Sequence, residues 1–277
     1  VDRVVYMQDG RIASDMEAAA FKALPEADIR RMGLRVRDLS VSESGCVKTI
    51  AADGLLSAQK ISVRLGGRYV LNDISFQASR GEIIAIAGVN GAGKSTLARM
   101  LCGLQKNGSG TVLWAGKPMS QRLRWKKAYM VMQDVGHQLF TDSVAAECAL
   151  GIKAPNKDEI DRTLEKVDLL AYKERHPLSL SGGQMQRLAV VVSDICGKEL
   201  LVFDEPTSGL DLKSMEEVGV LTRSLATQGK VLLIITHDIE FMMRICTRIL
   251  FIRDGEIMKD LSGGQKEKIV RLLRGEE

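Results

Sequence analysis

The feature that most constrains this sequence is a glycine-rich loop, GVNGAGKS, at residues 88–95. It fits the pattern GxxxxGK[ST], follows the apolar run EIIAIA and opens the helical run TLARMLCGL. Such a loop turns backbone N–H groups toward phosphate at the positive end of a helix. The pattern therefore predicts an α/β core with a nucleotide-binding loop formed by Gly88, Val89, Asn90, Gly91, Ala92, Gly93, Lys94, Ser95 and Thr96.

The rest of the chain supports one architecture. LLVFDE at 200–205 and VLLIITH at 231–237 are apolar runs that end in polar residues, which is typical of a parallel sheet with function at the carboxyl ends of its strands. From about residue 57 the sequence alternates with glycine turns, as an antiparallel layer does. We predict a P-loop NTPase parallel-sheet core with an antiparallel β subdomain and an inserted α-helical subdomain at about 136–182.

Four side chains around this loop have predicted roles in phosphate chemistry. Lys94 would contact the β- and γ-phosphates, and the Ser95 hydroxyl would ligate Mg²⁺. Asp204, at the end of LLVFD, would either ligate Mg²⁺ directly or bind a ligand of the metal. Glu205 follows at the mouth of the strand, where it would orient or deprotonate the attacking water. The alternative for Glu205 is a solvated carboxylate at a strand end.

Composition excludes several classes of protein. The chain has a net charge of +4 and only 4% aromatic residues, which does not favour nucleic acid or anionic lipid as a partner. Its five cysteines are widely scattered, with no CxxC pair, so we expect reduced thiols rather than a disulfide frame or a zinc site. The longest apolar runs are of strand length, far below a membrane span.

Four further motifs follow in order: MVMQD, LSLSGGQMQRLAV, DEPTSGLD and IITHD. With the glycine-rich loop, they make residues 57–257 resemble the ATP-binding cassette (ABC) ATPases. The resemblance implies Mg-ATP as cofactor and head-to-tail closure of two cassettes, in which the signature of one covers the γ-phosphate of the other. It assigns the signature to Ser181, Gly182, Gly183 and Gln184, the D-loop to Ser208, Gly209, Leu210 and Asp211, catalytic roles to Glu205, His237 and Gln133, and Mg²⁺ ligation to Ser95, Gln133 and Asp204.

One stretch points to a branch of the family. QDVGHQLFTDSVAAECALG, at 133–151, resembles the corresponding region of energy-coupling-factor ATPases, the cobalt and vitamin importers. That branch implies transmembrane partner subunits, import, and a peripheral position on the cytoplasmic face of the plasma membrane. The alternative is a soluble twin-cassette ATPase acting on ribosomes, although the 36–56 stretch is short and mixed for the long charged linker of such proteins. A chromosome or DNA-repair ATPase would need a coiled-coil insertion, which this sequence lacks, so no nucleic acid is expected.

Two positions depart from the family pattern. A second LSGGQ at 261–265 lies beyond the histidine motif and lacks the following QR, so we interpret it as a coincidental match. Leu65 stands where the family usually has an aromatic residue that stacks on adenine, with Tyr69 four residues later. Base selectivity is therefore expected to be weak.

The beginning of the chain resembles its end. Residues 1–12, VDRVVYMQDGRI, align with residues 246–257, CTRILFIRDGEI, at a constant offset of 245 (248 − 3 = 245). Two unrelated hairpins with Asp-Gly turns would look similar. The other interpretation divides the chain into the remnant of a preceding cassette at 1–35 (a hairpin and a helix, expected over 15–24), a linker at 36–56 and an ABC ATPase domain at 57–277.

Overall fold

The computed structural model describes residues 1–8, 10–35, 53–106 and 108–262, together with Gln265, Lys268 and Arg271. The strands are β1 (Arg3–Gln8), β2 (Arg11–Glu17), β3 (Leu56–Leu65), β4 (Arg68–Ala78), β5 (Ile83–Ala87), β6 (Gly108–Trp114), β7 (Lys117–Pro118), β8 (Ala128–Val131), β9 (Leu200–Asp204), β10 (Val231–Ile235), β11 (Arg248–Arg253) and β12 (Glu256–Ser262). The helices are α1 (Ala18–Ala23), α2 (Glu26–Arg31), α3 (Lys94–Leu101), α4 (Gln121–Lys127), α5 (Val144–Ala149), α6 (Lys157–Glu165), α7 (Gly182–Ile195), α8 (Leu212–Thr227) and α9 (Ile239–Ile245).

The central sheet has six strands in the order β12-β11-β5-β10-β9-β8. All neighbours are parallel except β12, which pairs antiparallel with β11. Strands β5, β9 and β10 are buried along their whole length, because both faces of the sheet are covered. Alternate side chains enter different cores, since Ile84 packs with the antiparallel layer and Ile83 packs with the helices.

The antiparallel layer has the order β4-β3-β6-β7 and encloses α3 together with the central sheet. Residues 136–182 contain α5, α6 and single-turn 3-10 helices, and their apolar side chains pack on α7 and α8. This arrangement is the predicted fold class: a parallel-sheet core, an antiparallel β subdomain and an inserted helical region.

The hairpin β1–β2 reproduces the pairing of β11–β12. Arg3 faces Glu17 as Arg248 faces Ser262, and every later pair keeps the offset of 245 through a register shift after Tyr6 and Phe251. The ion pair is repeated as well: Nε of Arg3 donates to Asp15 Oδ1 at 2.6 Å, and Nε of Arg248 donates to Asp260 Oδ1 at 2.6 Å (260 − 15 = 245).

The expected helix over 15–24 is partly wrong. Residues 15–17 belong to β2, because they pair with β1, and α1 occupies only Ala18–Ala23. Most of the expected linker, residues 36–52, lies outside the described residues, as does the turn residue Asp9. The described chain resumes at Asp53, and β3 begins at Leu56.

Candidate functional site

The glycine-rich loop connects β5 to α3 and lies against two backbone carbonyls. A Cβ on Gly88 would come within 2.0 Å of the Ile252 carbonyl oxygen, and one on Gly93 within 2.6 Å of the Val70 carbonyl oxygen. Both glycines also have positive φ, 148° and 99°. Only glycine therefore fits at either position, and the loop can curl tightly at the start of α3.

Lys94 folds back over this loop. Its Nζ donates to the carbonyl oxygens of Gly88 (2.7 Å) and Val89 (2.9 Å), and the residue is buried. Burial lowers the pKa of Lys94, while the nearby carboxylates of Glu205 and Asp204 oppose that change. The ammonium is thus held at the rim of the loop, where an anion would contact it.

Asp204 ends β9 beside the start of α3. The Ser95 hydroxyl and the positive charges of Arg99 and Lys94 favour its ionised form and so lower its pKa. Burial nevertheless raises the pKa of Asp204 above its usual value. The described residues contain no cluster of three or more His, Cys, Asp and Glu side chains that would cage a metal. A hydroxyl beside a carboxylate is a donor set that suits Mg²⁺, which takes its remaining ligands from phosphate and water.

Glu205 occupies a strained backbone position directly after β9. Its φ is +52°, in the left-handed region, and its N–H donates to the Ile235 carbonyl of β10 at 2.8 Å. Oε2 accepts hydrogen bonds from Thr236 Oγ1 (3.3 Å) and the His237 N–H (3.4 Å). His237 Nε2 lies 3.6 Å from Oε1, and its side chain is half-exposed. The residues that follow the neighbouring strand, β10, therefore fix the orientation of the carboxylate.

These groups surround one cavity of ≈ 520 Å³. Its lining includes Val70, Asn90, Gly91, Gly93, Lys94, Ser95, Thr96, Gln133, Asp204, Glu205, Ser208, Ile235 and His237. The cavity thus brings together residues from the loop, the ends of β8, β9 and β10, and the D-loop. Sequence reasoning missed Val70, whose place beside the loop follows from β4 crossing over Gly93, and Thr236, which lies one residue before the predicted histidine.

The signature residues are not among those that line this cavity in the described part of the chain. Ser181 caps α7: its Oγ accepts from the Gln184 N–H at 3.4 Å, and Gln184 Oε1 accepts from the Ser181 N–H at 2.9 Å. This capping box fixes Gly182 and Gly183 at the helix start. Asp211 caps α8 in the same way, accepting from the Ser214 N–H at 2.7 Å, and Ser208 and Gly209 remain exposed.

The second LSGGQ begins at the end of a strand. Leu261 is buried, and Ser262 ends β12, where it pairs with Arg248. Gly263 and Gly264 lie outside the described residues. At the proposed adenine position Leu65 is half-exposed, and the ring of Tyr69 is covered by the Arg64 guanidinium at 4.0 Å.

A parallel α/β sheet, a glycine-rich loop with its lysine, and an Asp-Glu pair at the next strand end define a P-loop ATPase. Among the described residues, none of the helices is long and apolar enough to cross a bilayer. A family profile described as "ABC transporter" matches residues 71–208. The chain belongs to the ABC transporter ATP-binding family.

Individual relatives carry the same family description. A putative ABC transporter ATP-binding protein of Treponema denticola is 52% identical over 274 residues, covering 97% of this chain and 56% of the relative. One from Streptomyces avermitilis is 36% identical over 209 residues, covering 72% of this chain and 78% of the relative. The chain spans about half the length of the first of these relatives.

Among solved structures, CbiO1 from Clostridium perfringens, described as part of the ABC transporter complex CbiONQ, has a TM-score of 0.70 and 28% identity. The match covers 80% of this chain and 94% of the CbiO1 chain. The comparisons confirm the predicted family, the fold class and the assignment as an ABC-type ATPase, a class that binds ATP, typically with Mg²⁺.

Proposed function

We propose that this chain is the ATP-hydrolysing cassette of an importer of the energy-coupling-factor type. Mg-ATP would bind at the cavity, with Lys94 on its phosphates and with Ser95, Asp204 and Gln133 around the metal. Glu205 would accept a proton from the attacking water, and His237 would donate a hydrogen bond to the γ-phosphate. The convergence of Glu205 and His237 on the loop's own cavity supports this proposal most directly.

Hydrolysis would need a second cassette. Because Ser181 caps a helix that does not line this cavity, its hydroxyl and the amides after it are available to a nucleotide held by another cassette. An arginine at 181 would block that contact, whereas an arginine at 262 lies at the end of an antiparallel strand. We expect Ser181→Arg to abolish ATP hydrolysis in the assembled pair and Ser262→Arg to leave it intact. Equal loss in both variants would contradict the head-to-tail arrangement.

The partner on the membrane side would contact the segment after Gln133. Phe140 is 69% exposed and Leu178 is 54% exposed, which leaves apolar surface on this part of the molecule. The buried Glu147 carboxylate holds the loop in place, accepting from the N–H groups of Phe140 (3.1 Å) and Thr141 (3.0 Å). A short loop fixed in this way suits recognition by an apolar helix of a transmembrane subunit.

Phe140→Ser tests this contact. In the assembled transporter we expect the variant to lose substrate uptake while the cassette still binds ATP, since Phe140 is not among the residues that line the cavity. Val220→Ser is the matched control, because Val220 is 58% exposed on α8. Fractionation distinguishes the alternative function: the importer cassette should co-sediment with membranes through its partners, and a ribosome-acting twin cassette should co-sediment with ribosomes.

We further infer that residues 1–35 are the closing part of a preceding cassette and that residues 36–56 link it to the cassette at 57–277. The inference is supported by the hairpin, which repeats β11–β12 in residue type, pairing register and ion pair. Two unrelated hairpins need share only the turn, whereas these two also share the residues at which the register shifts and the ion pair. Sequencing upstream of Val1 tests the proposal, which requires a second GxxxxGK[ST] loop there.

A further inference from the structure

We infer that Arg35 is a positioning residue for ATP hydrolysis. Through Arg35, the segment before the linker holds the D-loop of this cassette next to the residues around His237. The docking segment is defined here as residues 26–35. The inference rests on the proposed hydrolysis of ATP at the cavity, and it adds a side chain that belongs to none of the family motifs.

The guanidinium of Arg35 contacts two loops at once. Nη1 donates to Asp238 Oδ2 at 2.6 Å, and Nη2 donates to the carbonyl oxygens of Leu210 (3.2 Å) and Thr207 (3.4 Å). The Thr207 hydroxyl donates to the same Asp238 oxygen at 2.8 Å. The Arg35 and Asp238 side chains are 29% and 18% exposed, so solvent screens this ion pair only in part. One planar group therefore ties the residues after Glu205 to the residue after His237.

The docking segment is seated by backbone contacts as well. Ile29 of α2 is only 1% exposed. The Gly33 carbonyl accepts from the Leu212 N–H at 3.1 Å, satisfying a donor at the first residue of α8 that has no partner within the helix. The hairpin contacts this segment through Tyr6, whose hydroxyl donates to the Met32 carbonyl at 2.8 Å. Arg35 thus reaches the catalytic loops from a fixed base.

This arrangement holds the base of the D-loop and leaves its tip accessible. Thr207 and Leu212 are buried, whereas Ser208 and Gly209 between them are exposed. Asp238 also caps α9, since its Oδ1 accepts from the Phe241 N–H at 3.0 Å. Because Asp238 adjoins His237, loss of the Arg35 contact would weaken the link between the two loops, leaving the Thr207–Asp238 hydrogen bond in place, and would let them move more relative to one another. We expect that movement to slow the chemical step without weakening the phosphate contacts of Lys94.

The experiment compares Arg35→Ala and Arg35→Lys with Arg30→Ala in the 277-residue chain. Arg30 is an exposed arginine of α2 in the same docking segment, which makes it the matched control. Three quantities are measured for each protein: Mg-ATP affinity, kcat for ATP hydrolysis over a series of protein concentrations, and hydrogen–deuterium exchange of residues 205–213. Thermal unfolding accompanies each measurement.

For Arg35→Ala we expect unchanged ATP affinity. The kcat should fall between about 2- and 30-fold, which is the range that altered coupling between sites produces. The Leu210 and Leu212 amides should exchange faster. Arg35→Lys should recover part of kcat, because an ammonium can still pair with Asp238 but cannot also reach both carbonyls. Arg30→Ala should match wild type in all three. Exchange at the loop of residues 88–95 should not change.

Two results would overturn the inference. Unchanged exchange at 205–213 in Arg35→Ala would mean that the guanidinium does not hold the D-loop. A parallel fall in unfolding temperature, ATP affinity and kcat, without recovery by lysine, would mean that Arg35 only stabilises the fold. Wild-type protein that binds no ATP would instead refute the proposed function, and the exchange comparison would still test the Arg35 contact.

Discussion

Replacing Glu205 by glutamine separates nucleotide binding from chemistry at this site. The glutamine oxygen can accept the same hydrogen bonds from Thr236 Oγ1 (3.3 Å) and the His237 N–H (3.4 Å), so the side chain should keep its position. The amide lacks the basic carboxylate oxygen of Glu205. The variant therefore removes proton acceptance and little else.

The expected magnitudes differ widely for chemistry and stability. A positioned general base contributes about 10²–10⁴-fold, equivalent to about 2.7–5.4 kcal/mol of activation free energy. Both hydrogen bonds to Oε2 are long, so exchanging a charged acceptor for a neutral one should cost about 1 kcal/mol of folding stability or less. That corresponds to a shift of about 2–4 °C in Tm. The variant should be folded and nearly inactive.

Single-turnover hydrolysis in the assembled protein measures the chemical step, and a Mg-ATP titration measures binding. Glu165→Gln is the matched control, because Glu165 is an exposed carboxylate at the end of α6. Hydrolysis by Glu205→Gln at the wild-type rate would show that another group accepts the proton. A loss of ATP affinity as large as the loss of rate would show that Glu205 acts in binding instead.

Three further substitutions probe the same cavity. Lys94→Ala should weaken ATP binding in a titration, because the ammonium over the loop is lost. Gly88→Ala should prevent stable folding or displace β11, since its Cβ would lie 2.0 Å from the Ile252 carbonyl oxygen; circular dichroism melting checks this. Asp204→Asn should raise the Tm of the nucleotide-free protein at neutral pH, because burial raises the pKa of Asp204 and penalises its charged form. That gain should vanish below the usual pKa of aspartate, where both side chains are neutral, and Mg-ATP binding should weaken at every pH.

Local motifs made most of the site predictable. The loop, Asp204 and Glu205 each lie at the end of a buried strand, and neighbouring parallel strands necessarily bring those ends to one edge of the sheet. The contact between Arg35 and Asp238 could not be predicted, because it joins residues 203 positions apart and Arg35 has no distinctive sequence context.

Local sequence also does not predict the secondary structure at the start of the chain correctly. Alanines at 18–20 favour helix, and local propensity predicts a helix that begins at Asp15. In the structure Asp15 pairs with Val5 and receives the Arg3 guanidinium, so strand pairing outweighs local propensity there. At the offset of 245, β2 (Arg11–Glu17) corresponds residue for residue to β12 (Glu256–Ser262).

The left-handed backbone of Glu205 has a consequence for any effort to redesign this protein. A side chain with a Cβ at φ +52° costs about 1–3 kcal/mol, which glycine would recover and asparagine would reduce. Directed evolution for heat resistance alone would therefore replace the residue on which turnover is proposed to depend. Position 205 should be held constant in such a library, since here selection for durability and selection for activity favour different amino acids.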